Sequence, residues 1–438
     1  MLGPLLQYQS LKTVLLHTDA NTRFRISTHL PSIRDVEKRI PLKLKYLEMN
    51  ARGTVINDTS YRTEVVRYHP EGSNHSWPTK VDDQRRQFDF DEFGFQVNVG
   101  ENVLLPGDIS FQLEDEIEDS YAMEEVELSY RDLLKWDEKA VEILSGLKSK
   151  RETENYIKTL NRNSKDQLLH RLLIPLEDLR RSIKRKKLVL LSFECRRNKV
   201  KSPFKYYLEL TVTKDTCQQI KRFEYTKKLF EAVKKLNEVF FGGRSEPILV
   251  QLLDLIPCHL TPQTGIYRLP TDCRLHANQV NALDHNLAHT SFPLLIGNSE
   301  SLDTLWVCCT VEPNALRNQI VRSARRLVIE DAYGEVVMER VIRDLSNREI
   351  FIVAGSDHLF FPMHSYALIN VWLSGNRPVG ASFWIQVQSD EAGRRVLELV
   401  ESRYANAERT KRCVTIHKDN LTKIKVFYKK LKSSINTF

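Results

Sequence analysis

Val250-Gln-Leu-Leu-Asp-Leu255 sets a spacing that the rest of the chain repeats: apolar, two residues, apolar, one residue, apolar. The pattern returns at Leu302/Leu305/Val307 and Ala324/Leu327/Ile329, more weakly around Ile350 and Ile352, and has an earlier copy at Leu44/Leu47/Met49. The later copies stand about 20 to 25 residues apart, a period at which one strand and its return segment form a unit that must stack on the next to bury its apolar face. The class expected is α/β (α+β).

Around that pattern the period changes several times. Leu208, Leu210 and Val212 alternate with Tyr207, Glu209 and Thr211, which predicts a half-buried strand. Leu229, Val233, Leu236 and Phe240 form a helix stripe closed by Gly242-Gly243. Further on, a helix is expected over His364–Leu373, a strand over Ala381–Val387, a helix through Val396, Leu399 and Val400, and strands at Arg412–His417 and Lys423–Tyr428. Residues 195–438 thus read as a strand-helix, leucine-rich-repeat-like recognition domain lacking the asparagine ladder of regular leucine-rich repeats. A non-repetitive α/β domain is the alternative.

Upstream, 1–43 reads as helical: Ser10–Leu16 at helical spacing, an Asp19-Ala-Asn-Thr turn, apolar residues again at Phe24, Ile26 and Leu30, then Pro31-Ser32 at a helix start. A helix pair this short cannot cover its own apolar face, so that face is expected to be given to something else. Residues 44–111 combine the strand LKYLEMN with turn-rich sequence and an aromatic connector, FDFDEFGFQVNVGENVLLPGDISF, expected to dock on a neighbouring surface. Residues 112–194 read as a charged helical insertion. Its first helix is opened by eight carboxylates between Glu114 and Glu127 and carries Val126, Tyr130, Leu133, Val141, Leu144 and Leu147. Its second opens with a Ser164/Gln167 capping box, is expected to kink at Pro175, and ends in a basic run.

The 438 residues carry a net charge of +8, with 65 basic against 57 acidic side chains, so a mixed surface and a polyanion-binding one are both open. Seven scattered cysteines without a Cys-x-x-Cys fit a reducing compartment, cytoplasmic or nuclear. No apolar run approaches the ~18 residues of a membrane span.

Chemistry-bearing motifs are sparse. The sequence contains no Gly-rich phosphate loop, nucleophile elbow or kinase signature, so no enzyme activity and no cofactor are expected. His285 and His289 share a helical face and could reach one zinc with His276 or Asp284, although ordinary surface histidines explain them too. Cys308-Cys309 reads as strand filler beside an apolar run. The basic patch Arg180, Arg181, Lys184, Arg185, Lys186 and Lys187 could be an import signal or a phosphate-binding face, or a solvated helix face balanced by the acidic block 114–127.

Read together, Tyr8-Gln-Ser-Leu-Lys-Thr-Val-Leu, Asp19-Ala-Asn-Thr-Arg23, Leu30-Pro-Ser-Ile-Arg-Asp-Val-Glu-Lys38, Phe88-Asp-Phe-Asp-Glu-Phe-Gly-Phe95, Val103-Leu-Leu-Pro-Gly-Asp-Ile109, Phe240-Phe-Gly-Gly-Arg244 and Trp372-Leu-Ser-Gly-Asn-Arg-Pro-Val-Gly380 are similar to blocks of the nematode F-box C proteins and their associated domain of unknown function. That resemblance implies a non-enzymatic substrate receptor of an SCF-type ubiquitin ligase. It assigns Leu11, Val14, Leu15, Phe24, Ile26 and Leu30 partly to a Skp-type adaptor interface and partly to the unit's own packing, and leaves an unidentified target protein to the C-terminal domain. A scaffold of the same fold without adaptor contact, and a basic nucleic-acid-binding protein, remain the alternatives.

Overall fold

The fold is taken from a computed structural model, which describes residues 8–50, 53–68, 89–97, 103–110, 123–146, 168–255, 266–282, 296, 302–308, 319–331, 343, 345–354, 362–375, 377–387, 389–417 and 423–428. The repeated pattern lies on parallel strands: β1 (Lys43–Asn50), β9 (Ile248–Leu255), β12 (Thr304–Cys308), β13 (Arg326–Asp331) and β14 (Glu349–Ala354). Two more strands complete the run, β11 (Leu275–Ala282) between β9 and β12, and β15 (Ser382–Ile385) at the outer end. The registers put Leu47 opposite Leu253, Leu253 opposite Val280, then Leu305, Leu327 and Ile350 in succession. All six are fully buried. Ala282, Val307, Ile329 and Ile352 make the neighbouring buried row. The period-2 pleat explains the last two positions of each copy, and the first falls where the β1, β9 and β11 registers step past residues 45, 251 and 278.

Beyond β1 the same sheet turns antiparallel through β2 (Gly53–Ile56), β3 (Thr59–Tyr68), β7 (Lys205–Lys214) and β8 (Cys217–Glu224). It has eleven strands among the described residues, in the order β15-β14-β13-β12-β11-β9-β1-β2-β3-β7-β8. The sheet therefore takes strands both from 44–111, expected to hold short strands and an aromatic connector, and from 195–438. The alternation on β7 is less clean than its sequence suggests. Glu209 and Thr211 are buried, Glu209 by an ion pair with Arg222 at 2.8 Å.

The N-terminal helices α1 (Tyr8–His17), α2 (Ala20–His29) and α3 (Arg34–Lys38) pack on this sheet both through α6 (Leu229–Phe241) and directly, Asn21 donating to the Ile56 carbonyl and accepting from the Tyr61 hydroxyl. Asp19 caps α2 by accepting the Thr22 amide at 3.0 Å. Phe24 lies 4.9 Å from the Phe240 ring, and Phe240 lies 4.6 Å from Tyr61. Below them Glu37, fully buried, accepts from Arg23 and Arg244, each at 2.9 Å; Arg23 also donates to the carbonyls of Pro41, Glu37 and Ile40. Burial and the neighbouring Arg244 guanidinium push Lys38 down to about 8. α6 ends as its sequence predicts, with Gly242 as cap and Gly243 at φ +68°, a conformation that favours glycine.

The connector, with the short strands β4 (Asp89–Phe90), β5 (Gln96–Val97) and β6 (Ile109–Ser110, paired with β10, Ile266–Tyr267), docks as expected where it is described, and farther on a short α7 (Gln319–Ser323) precedes β13. Phe95 meets the Phe193 ring edge-on at 4.8 Å, and Phe90 stacks on Tyr206 at 4.8 Å. Asp108 sits between Lys234 at 2.7 Å and Arg268 at 2.5 Å, all three buried, which fastens the Pro106-Gly107-Asp108 turn to α6 and to the Arg268 segment.

Within the insertion, α4 (Met123–Gly146) runs against α5 (Leu176–Arg197). Pro175 does not kink a continuous helix: it is the N-cap of α5, separated by a turn from helical residues 168–172, because proline cannot donate to the preceding turn. The acidic block through residue 122, Leu147 and the Ser164/Gln167 box lie outside the described residues. Asp137 is the polar centre of the pair, accepting from Lys186 at 2.5 Å and from Arg171 and Ser182 at 2.8 Å each. Burial works to raise its pKa, but the Lys186, Ser182 and Arg171 bonds outweigh it and hold the carboxyl below its ordinary 3.8. A folded pKa below the unfolded one stabilises the fold above that ordinary value and ceases to do so as pH falls through the folded value. Urea unfolding is expected to show a loss between pH 5 and pH 2 that Asp137→Asn reduces, with the variant about 1–3 kcal/mol less stable at pH 7. An unchanged acid limb in the variant would count against this.

At the far end α8 (Pro362–Ser374) and α9 (Asp390–Arg403) pack with the hairpins of β16 (Ala407–Thr410), β17 (Cys413–His417) and β18 (Lys423–Phe427) around Leu373, Leu397, Val400, Val414 and Ile416.

Candidate functional site

Alternation along each parallel strand puts every second residue on the face away from the buried rows, and the registers align these into two further rows. One reads Glu48, Asp254, Asn281, Trp306, Val328, Phe351, Trp384 across seven strands. The other reads Tyr46, Leu252, Gln279, Thr304, Arg326, Glu349, Ser382. Apart from Glu48, Asp254 and the buried Thr304, these residues line, with the α8–β15 turn, α9 and β18, an open cleft of about 1890 Å³. Small-molecule pockets run to ~1,000 Å³, so a cleft of this size suits an extended polymer segment better than a metabolite.

The chemistry of the face is graded. At the β1 end the Tyr46 hydroxyl lies 2.8 Å from Asp254 Oδ2 and 3.1 Å from Glu48 Oε2. Burial and these two carboxylates push the Tyr46 phenol well above its ordinary range, so it stays protonated and donates. At the β15 end the face is aromatic. Phe351 and Trp384 stack in parallel at 5.7 Å, Trp384 meets Phe427 edge-on at 5.5 Å, and the Arg326 guanidinium lies over Phe351 while pairing with Glu349 at 2.9 Å. Trp, Tyr and Arg are the side chains that most often dominate protein recognition, because each combines a large apolar area with a directional polar group.

The six residues expected at an adaptor interface do not form one surface. Leu15 and Phe24 are 1% and 3% exposed, and Phe24 belongs to the main core, so neither is available to a partner; their apolar faces are completed by the chain itself. Leu11 and Ile26 are half-buried. Val14 and Leu30 are 51% and 54% exposed, and Leu16 and Tyr8 are exposed on the same helices or close by.

The basic patch is largely balanced within the insertion. Arg180 pairs with Glu177 and Arg181 with Asp178 on their own helix, while Lys186 and Lys187 reach Asp137 and Glu138 on α4. The partner is thus α4, whereas Glu127 of the acidic block is taken by Arg131 and Arg197. His285 and His289 lie outside the described residues; His276 is half-buried on β11, and no cluster of three metal-ligating side chains occurs among the described residues.

The two outward rows went unrecognised in the sequence because they occupy the unconstrained positions of the repeated pattern. The signal that could have found them is the aromatic at the same place on three of the last four parallel strands, Trp306, Phe351 and Trp384, with Val328 between the first two. No curated protein and no solved structure matches this chain. Residues 228–389, from α6 through β15 and so including every strand of the cleft except β1 and β18, match the family model of a domain of unknown function (DUF3557).

Proposed function

We propose that this chain is a non-enzymatic recognition protein that holds an extended segment of a target protein on the outward face of its parallel sheet. The observation that carries this reading is the pair of aligned rows running from Tyr46, Glu48 and Asp254 to Phe351 and Trp384. Such a face offers aromatic anchors at one end and hydrogen-bonding carboxylates at the other. The N-terminal helices, which resemble those of the nematode F-box C proteins, then bring the target to a Skp-type adaptor, making the chain a substrate receptor of an SCF-type ubiquitin ligase in the cytoplasm or nucleus. No helix among the described residues is long and apolar enough to cross a membrane.

The adaptor contact falls to the exposed residues of the helical segment. A pull-down with Skp-type adaptors is expected to capture the wild-type chain and to lose the Val14→Asp, Leu30→Asp double variant by tenfold or more, with its melting temperature unchanged. Equal capture of both, or capture of neither, removes the ligase reading. The burial of Leu15 and Phe24 favours a second reading, in which the helices cap the sheet and the chain is a scaffold that recognises its target without a ligase. Nucleic-acid binding is the weakest of the three, since the basic run is balanced by carboxylates of its own helix and of α4.

A further inference from the structure

Five cationic side chains are buried among the described residues, and four of them share a carboxylate: Arg23 and Arg244 have Glu37, Lys234 and Arg268 have Asp108. Arg67 is the exception. It stands near the end of β3, opposite Tyr206 on β7, and is 8% exposed. Its guanidinium carbon lies 5.5 Å from the centre of the Phe90 ring and 5.0 Å from that of Phe204, and its Nε is buried with no hydrogen-bond partner.

Among the described carboxylates of the neighbouring connector, Asp89 and Asp91 are committed elsewhere. Asp89 accepts the Tyr225 hydroxyl at 2.5 Å and the Leu229 amide at 2.8 Å. Asp91 accepts the amides of Phe93 and Phe95 and faces Arg196 at 3.8 Å. Burial pulls the Arg67 guanidinium below its ordinary pKa, the direction expected for a cation without an anion. A charge withdrawn from water and left unpaired is strongly disfavoured, and cation–π attraction offsets only part of that.

We propose that Arg67 anchors the carboxylate of an apolar organic acid, whose body lies against the half-buried Phe204 and Tyr206 rings, with the buried Phe90 ring behind them. A guanidinium edge matches a carboxylate with two parallel hydrogen bonds, and the aromatic cluster supplies the apolar wall that a charged head alone would not need. The Tyr206 hydroxyl, 3.1 Å from Ser202 Oγ, adds a neutral polar group on the same wall. A single cation among aromatic rings suits a monoanion with an apolar body better than inorganic phosphate, which is held by several donors or charges. This site lies on the β3–β7 side of the sheet and stands apart from the adaptor and target readings.

Thermal unfolding of the full chain with sodium benzoate, against benzamide, inorganic phosphate and sodium chloride at matched ionic strength, tests the assignment. Benzoate is expected to raise the melting temperature saturably and benzamide not to. Arg67→Met is expected to weaken benzoate binding at least tenfold, and Arg67→Lys, which keeps the charge but loses the fork, several-fold. N-acetyl-phenylalanine separates two sources of the same chemistry: tighter binding than benzoate assigns the acid to a peptide C-terminus, weaker binding to a free small acid. The proposal is overturned if benzoate acts no more than chloride, if benzamide matches it, if phosphate is preferred, or if Arg67→Met binds benzoate as the wild type does.

Discussion

Glu37→Gln is expected to lower the unfolding free energy by about 3–5 kcal/mol, one of the two largest effects expected of a single substitution in this chain. Glu37 is the one carboxylate between Arg23 and Arg244, and all three side chains are buried. Neutralising it leaves two guanidinium groups facing each other without water, beside Lys38, whose ammonium is already disfavoured there. The cost comes from stranding the cations, since an intact buried ion pair contributes little net stability against an apolar replacement. Replacing the whole triad, Arg23→Met with Glu37→Leu and Arg244→Met, is therefore expected to recover most of the loss. Urea unfolding followed by circular dichroism measures both variants. A Glu37→Gln midpoint shift equivalent to less than about 1 kcal/mol would show that the triad is hydrated or loosely held. Because the triad joins the N-terminal helices to the end of α6, the single variant is also expected to speed amide exchange in α2 and α3 before the sheet is affected.

What the sequence made legible follows from which positions are constrained by burial. Leu47, Leu253, Leu305, Leu327 and Ile350 must be apolar because each lies between two neighbours in a closed row, so the pattern survives in the residues themselves. β11 escaped notice because its copy, Ala277/Val280/Ala282, uses small residues that look unremarkable in a window, although the spacing is the same. The outward rows escaped for the opposite reason: their positions are constrained by whatever they bind, and no periodicity reports that. In the helical segment the spacing of Leu15 and Phe24 correctly showed an apolar face. It could not show that α6 supplies the cover, because Phe240 is more than two hundred residues away in the chain. Arg67 is invisible for a similar reason: in sequence it is one arginine of a polar-apolar strand, and only the structure shows that, among the described residues, Asp89 and Asp91 bond elsewhere.

Leu305→Ala is expected to cost about 3–5 kcal/mol, the upper part of the range for large-to-small core substitutions. Leu305 occupies the middle of the longest buried row, fully buried, with Val280 and Leu327 directly opposite on the flanking strands. Neighbouring strands of a parallel sheet are held at about 4.8 Å by their backbone hydrogen bonds, so the flanking side chains cannot close on the space left behind, and the cavity term is added to the lost transfer free energy. Leu249→Ala supplies the control within the same sheet. Leu249 is 40% exposed at the start of β9, so the same chemical change there is expected to cost under about 1 kcal/mol. Chemical denaturation of the two variants under identical conditions decides between a stacked, closed row and a loosely packed sheet. Equal losses at Leu305 and Leu249 would mean that the row does not behave as a rigid core, and the alignment of Trp306, Phe351 and Trp384 on its reverse side would lose the support that holds those side chains in register for a partner.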